Sequence, residues 1–265
     1  MYLILPKSNN KSVGTIRSQG NMNKNLAYVL GVFLGDGSIC SDKRTFMLQA
    51  IDLDFVERAA SSLKKLSDNS IRITEENRLT TANRKVFSVR VSDVALCNEL
   101  TGLTFGRNNI PIDFLFWDNL FQKEFISGVL DSEGYVSKTK IHSYGGQEVA
   151  DVKIGIGACD LWIYELHRFC QEVGIKVGVI TREKLKSGKI FAKFTFNKKS
   201  FIEKGLYFNI RRKQDRIENY KLLFPGSTTK RGIPITDETK EKMSNFAKSR
   251  KRVGGKFVKL GNDIV

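Results

Sequence analysis

From Asn25 onward, apolar residues recur at Leu26, Leu30, Phe33 and Leu34, and this helical spacing stops at Gly35-Asp36-Gly37. Short strand-like runs follow over 38–40 and 45–51, separated by the polar turn Ser41-Asp42-Lys43-Arg44. Helical spacing returns over 54–66, where Phe55, Ala59, Leu63 and Leu66 share one face. Runs at 71–74 and 86–91 read as another strand pair, because Val86, Ser88 and Arg90 alternate with Phe87, Val89 and Val91. A short helix over 92–100 closes the set. The same order then returns: a helix over 119–131 ending at Glu133-Gly134, strands at 135–138 and 149–155, and a helix over 160–172. Strands at 176–182 and 190–197 follow, with helical segments to about 223. The pattern predicts an α+β chain of two α-β-β-α-β-β-α units, 25–115 and 116–225, in tandem. Residues 1–24 form a polar arm. The segment 226–265 is a basic tail with one helix from Thr236 or Asp237 to about 249, too polar for a core of its own.

The composition narrows the chemistry. With 265 residues, of which 41% are hydrophobic, the chain has material for a sizeable core. No apolar run reaches the roughly 18 residues that span a bilayer, so the expectation is a protein that is not secreted and works in the cytoplasm or an organellar matrix. The four cysteines are far apart with no C-x-x-C pair, and there are only two histidines, His142 and His167. Zinc ribbons, disulfide scaffolds and His-rich metal sites do not fit, and neither a nucleophile elbow nor a P-loop is present. Net charge is +16, and its placement says more than its size. Residues 181–265 hold 23 Lys and Arg against 8 Asp and Glu, so nearly all the excess lies in the last third. Such a block favours a polyanion, nucleic acid above all, although a solubilising surface has the same composition.

The strongest signal is the match between the two leading helices. They end Leu30-Gly31-Val32-Phe33-Leu34-Gly35-Asp36-Gly37 and Ile126-Ser127-Gly128-Val129-Leu130-Asp131-Ser132-Glu133-Gly134. In each, small residues one turn apart (Gly31/Gly35, Gly128/Ser132) leave a flat strip on which two helices can pack closely. A carboxylate and a glycine follow at once. Asp36 and Glu133 therefore fall at helix C-termini, where the dipole disfavours anions, and two carboxylates brought together there repel. A bound divalent cation relieves both problems, and hard oxygen ligands suit Mg²⁺, the ion of many phosphodiester hydrolases.

These strings resemble the paired signature helices of LAGLIDADG homing endonucleases in their single-chain, two-repeat form, over about residues 25–223. The first motif departs from the consensus at Leu34 and Gly35. The resemblance implies two pseudo-symmetric LAGLIDADG units, each with a four-stranded antiparallel sheet on the DNA major groove. It also implies a double-strand break leaving 3′ overhangs. Asp36 and Glu133 would be the metal-binding carboxylates, with the backbone carbonyls of Gly35 and Ser132 as further ligands. Two or three Mg²⁺ would be shared there, with Mn²⁺ substituting and Ca²⁺ binding without cleavage. The usual helix-start lysine falls on Lys213. Arg107 stands at the corresponding place in the first unit, where a guanidinium stabilises charge but does not act as a base. Gln49 and Asp52 are candidates for positioning water. Groove-face candidates are Arg44, Gln49, Arg72, Arg84, Lys85, Arg90, Lys138, Lys140, Lys153, Arg182, Lys184, Lys189 and Lys193, with Arg211 and Arg212 beside them, although an ordinary solvent-facing strand carries the same pattern. In the tail, Lys230 and Arg231 open a stretch resembling the small DNA-binding repeats appended to such enzymes.

The expected partner is double-stranded DNA, bound by a monomer, with no membrane. Two other classes fit the same features: an intron RNA maturase or non-cleaving DNA-binding regulator of this fold, and a basic structural nucleoid protein.

Overall fold

The computed structural model describes residues 22–79, 84–137, 140–144, 147–223, 250–253 and 256–259. The chain divides into two compact units, Met1–Pro225 and Gly226–Val265.

The first unit opens with α1 (Lys24–Leu34), whose start is capped by the Asn23 side chain accepting from the amides of Asn25 and Leu26. Every residue of α1 from Leu26 to Leu34 is buried, because the helix is enclosed on all sides instead of lying on a surface. β1 (Ser38–Ile39), β2 (Thr45–Ala50), α2 (Leu53–Leu63), β3 (Arg72–Leu79), β4 (Lys85–Ser92) and α3 (Val94–Leu103) follow. Asp93 sets the start of α3 by accepting from the Leu96 amide at 3.0 Å, which places the helix two residues later than the periodicity indicates. A connection containing a 3₁₀ turn at Phe114–Phe116 leads to α4 (Asn119–Glu133).

Thereafter come β5 (Gly134–Val136), β6 (Lys140–Tyr144), β7 (Gln147–Asp151), β8 (Ile154–Ala158), α5 (Trp162–Glu172), β9 (Thr181–Lys184), β10 (Ile190–Thr195), α6 (Lys198–Glu203) and α7 (Arg211–Leu223). The strands form two four-stranded antiparallel sheets. Sheet one runs β1-β2-β4-β3 and sheet two β5-β8-β10-β9. The two orders are equivalent once β6 and β7, which pair with each other as a separate hairpin, are set aside.

That hairpin accounts for the main departure from the sequence pattern. The run at 149–155 reads as one strand, yet it contains the end of β7 and the start of β8. β8 is buried along its whole length, so it lacks the polar alternation that would have marked its limits. One face of each sheet packs on the helices: Phe46, Leu48, Val89 and Val91 in sheet one, Ile154, Ile156, Ala192 and Phe194 in sheet two.

In the second unit the described residues form one antiparallel hairpin, β11 (Arg250–Val253) with β12 (Lys256–Lys259). The helix expected from Thr236 or Asp237, together with Lys230 and Arg231, lies outside the described residues. Among the described residues no helix is long and apolar enough to cross a membrane.

Candidate functional site

The site is built where α1 and α4 cross. A Cβ added at Gly31 would fall on the Phe125 carbonyl oxygen and 2.9 Å from the Val129 amide nitrogen. One added at Gly128 would fall on the Tyr28 carbonyl oxygen and 2.9 Å from the Val32 amide nitrogen. Each would also lie 3.1 Å from the other glycine's Cα, so the two backbones touch by equivalent atoms. Farther along, a Cβ on Gly35 would meet Ser132 and come within 3.1 Å of Glu133 Cγ. Small side chains at these positions are what let the helix ends converge.

Asp36 and Glu133 stand at that convergence. Desolvation pushes the Glu133 carboxyl up to about 7, and the neighbouring charges of Asp36 and Asp160 push the same way against Arg107 and Lys213. The Asp36 side chain still reaches solvent, but the protein crowded around it raises its carboxyl as well, with Lys213 and Arg107 opposing.

Each helix end has its own cation. Arg107 Nη2 donates to the Leu34 carbonyl at 3.2 Å and also to that of Gly35. Phe105, Gly106 and Arg107 have φ of 47°, 69° and 74°, a left-handed run that delivers this side chain at a cost in backbone strain. Lys213, buried near the start of α7, donates from Nζ to the carbonyls of Asp131 at 2.9 Å and Leu130 at 3.3 Å. Desolvation lowers its ammonium below the usual lysine range. Both cations satisfy terminal helix carbonyls and offset the negative dipole ends beneath the carboxylates.

A buried anchor inside the second motif, Asp131, holds the Lys213 segment in place. Asp131 accepts from the Tyr28 hydroxyl at 2.8 Å, from the Asn209 amide and side chain at 2.8 and 2.7 Å, and from the Ile210 amide at 3.3 Å. The start of α7 is thereby tied to α4. The first helix has Leu34 at the matching position, which together with Arg107 in place of a lysine is the signal in the sequence that the two ends are supported differently. Asp52 does not stand free to hold water: it forms a two-point ion pair with Arg212 at 2.6 and 2.7 Å. Asp54 accepts from the Arg211 amide, and Arg211 itself is exposed. Gln49 lies on β2 and donates to Glu76 at 3.2 Å.

The donor set suits a hard divalent cation that keeps much of its water. The two carboxylates converge, and among the described residues no group of three or more His, Cys, Asp or Glu side chains forms a fuller cage. The Gly35 carbonyl already accepts from Arg107, so an ion using it would share it with the guanidinium.

Strand register sorts the remaining candidates. On sheet one, Arg72 and Arg90 are opposite each other and share the face of Met47 and Gln49, away from the core. Lys85 falls on the other parity and pairs with Glu75 at 2.8 Å. Arg44 is exposed in the β1–β2 turn, and Arg84 is exposed just before β4. On sheet two, Lys153 and Lys193 lie on the outward face. Arg182 and Lys184 take the helix-side parity, and the Arg182 guanidinium sits 5.0 Å from the Tyr164 ring centroid on α5. Lys189 is exposed in the β9–β10 turn, Lys140 opens β6 opposite Asp151, and Lys138 lies outside the described residues.

No protein-family model matches the chain. An uncharacterized protein of Methanocaldococcus jannaschii is 33% identical over 121 residues, which is 44% of this chain and 41% of that protein, so the match spans less than half of either. Among solved structures, the homing endonuclease I-DmoI in complex with DNA and calcium is similar at 14% identity over 74% of this chain and 97% of that one, with a TM-score of 0.48. I-SmaMI bound to an uncleaved DNA target in the presence of calcium ions is similar at 12% identity over 84% and 99%, with a TM-score of 0.44. Full-length WhiA from Thermatoga maritima is similar at 14% identity over 85% and 67%, with a TM-score of 0.49.

Proposed function

We propose that this chain is a two-repeat LAGLIDADG homing endonuclease that makes a metal-dependent double-strand break in a long DNA site, leaving 3′ overhangs. The observation that carries the reading is the convergence of Asp36 and Glu133 at the ends of two helices packed backbone to backbone, each end with its own cation. A stability-driven design has no use for two desolvated, mutually repelling carboxylates at negative dipole ends. A phosphodiester hydrolase does.

Asp36 and Glu133 would hold the divalent ions, with the Gly35 and Ser132 carbonyls beside them. The ions would supply Lewis acidity toward the phosphate and a readily ionised water. Lys213 and Arg107 would bind the scissile phosphates and stabilise the charge that develops on them. Of the two, only Lys213 can also exchange a proton, because its ammonium is already weakened by burial. Arg72, Arg90 and Gln49 on sheet one, and Lys153 and Lys193 on sheet two, would face the groove. The basic second unit would extend the contacted length.

The test is digestion of a randomised duplex library with and without Mg²⁺, with sequencing of the cut ends, for the natural chain and for Asp36→Asn and Glu133→Gln. One long recurrent site, cut by the natural chain only with metal and bound but uncut by both variants, is the expected result. Cleavage by either variant at the natural rate would remove the assignment. Specific binding without any cut would instead favour the non-cleaving regulator, and preference for structured intron RNA the maturase.

A further inference from the structure

The outward faces of the two sheets carry different chemistry. On sheet one the register groups Thr45, Met47 and Gln49 of β2 with Arg90 and Ser92 of β4 and with Arg72 and Thr74 of β3. Gln49 and Arg90 both donate to Glu76, which orients a polar, hydrogen-bonding surface. On sheet two the corresponding face of β8 is bare backbone at Gly155 and Gly157. Two rings occupy the space above it. A Cβ on Gly155 would lie 2.7 Å from both Cζ and Oη of Tyr135 on β5, and one on Gly157 would lie 3.1 Å from Cε1 of Phe191 on β10. Neither ring belongs to the core, which lies on the opposite parity with Val136, Ile156, Ala192 and Phe194. Lys153 and Lys193 share the aromatic face with Glu183, which stands opposite Phe191 and pairs with Lys193 at 3.8 Å, so the patch is apolar in the middle with charged groups at its edge.

An apolar patch within reach of lysines suits a ligand that presents apolar groups between phosphates. In the major groove of duplex DNA the one such group is the C5-methyl of thymine. Resting on the endonuclease reading above for the placement of the sheets, we infer that Tyr135 and Phe191 are specificity-determining residues. They recognise thymine methyls in the half-site under sheet two, while Gln49, Arg72 and Arg90 read the other half by hydrogen bonds. The two half-sites then differ in kind, with hydrogen-bonded discrimination in one and weaker, methyl-directed discrimination in the other.

Binding selection from a randomised duplex library, without divalent metal and with sequencing of the bound fraction, tests this independently of cleavage. The full chain is expected to enrich thymine roughly three- to tenfold at one or two positions of one half-site, the margin of a single apolar contact. Phe191→Gln and Tyr135→Gln should each lose one thymine and gain adenine there, since a glutamine amide can bond adenine N6 and N7. Tyr135→Phe should keep the natural profile and confirm that the fold tolerates change at this position. Arg90→Ala should alter the other half only.

Glutamine variants that fold, as judged by an unchanged melting temperature, and bind with the natural profile in both halves would overturn the inference. So would equal displacement of the duplex by a single strand of the same composition, because the rings would then be stacking on unpaired bases. A chain that selects the thymine-containing site yet never cuts it would sustain this inference while removing the endonuclease reading. A chain that enriches no duplex at all would remove both.

Discussion

Glu133 shows what a desolvated carboxyl beside a second one costs the fold. Its carboxyl sits in a desolvated place beside Asp36 and is pushed up to about 7. Between about pH 5 and 7 the folded chain therefore keeps a proton that the unfolded chain has released, and stability falls as pH rises through that window. Above it the penalty is fully present. Without divalent ions, Glu133→Gln should be more stable than the natural chain at pH 8, by on the order of 1 kcal/mol after solvent screening, or a few degrees in melting temperature. The advantage should vanish below about pH 4.5, where both states of the natural chain are protonated. Thermal melts at the two pH values check the sign, and added Mg²⁺ should raise the natural chain more than the variant. Asp131, two positions earlier, shows how environment separates like residues. It is buried and raised to about 6 by desolvation, yet four hydrogen bonds from Tyr28, Asn209 and Ile210 make it an anchor for the Lys213 segment and leave no room for a ligand. Its neighbours in sequence say little about this, because its bonding partners are 78 to 103 positions away.

At the scale of elements, the crossing of α1 and α4 governs the site. Leu26, Leu30, Phe33 and Leu34 predict a helix by spacing, and the small pairs Gly31/Gly35 and Gly128/Ser132 predict a close approach. What the spacing cannot express is that the approach goes to backbone contact, with each glycine's Cα 3.1 Å from the point where the other would carry a Cβ. Gly31→Ala has no room unless the helices separate, at a cost of about 2–3 kcal/mol. The shift should also move the two carboxylates apart and reduce metal affinity. Urea denaturation is the check on stability. The double variant with Gly128→Ala should cost less than the sum of the singles, since both relieve the same contact. A fully additive result would mean the two glycines pack independently. Elements whose limits depend on pairing were harder to anticipate. The hairpin β6–β7 divides one apparent strand, and β8 carries glycines where Tyr135 and Phe191 supply the side-chain surface from neighbouring strands.

For the molecule as a whole, the basic excess of the last third runs across the boundary into the second unit. Residues 226–265 hold 10 Lys and Arg against 4 Asp and Glu. Removing them should leave site selection and cleavage at low salt in place while reducing the salt dependence of DNA binding. The slope of log affinity against log salt should fall by about 0.9 for each phosphate that is no longer neutralised, hence by about three if a third of the cations touch phosphate. An unchanged slope would show that the second unit does not touch the DNA backbone. Much of this molecule follows from the chain alone. Periodicity anticipates the helices and most strands, the repeated order of elements anticipates two sheets of equivalent strand order, and matched carboxylates after matched small residues mark Asp36 and Glu133 as neighbours at two helix ends. These are local features, set by spacing along the backbone, and so they can be read locally. The ion pair that occupies Asp52, the carbonyls taken by Arg107 and Lys213, the burial of Asp131, and the face on which each basic residue lies were decided only by the tertiary structure. Each depends on strand register or on contacts across dozens of residues, and a one-residue shift in register sends a side chain to the opposite face of its sheet.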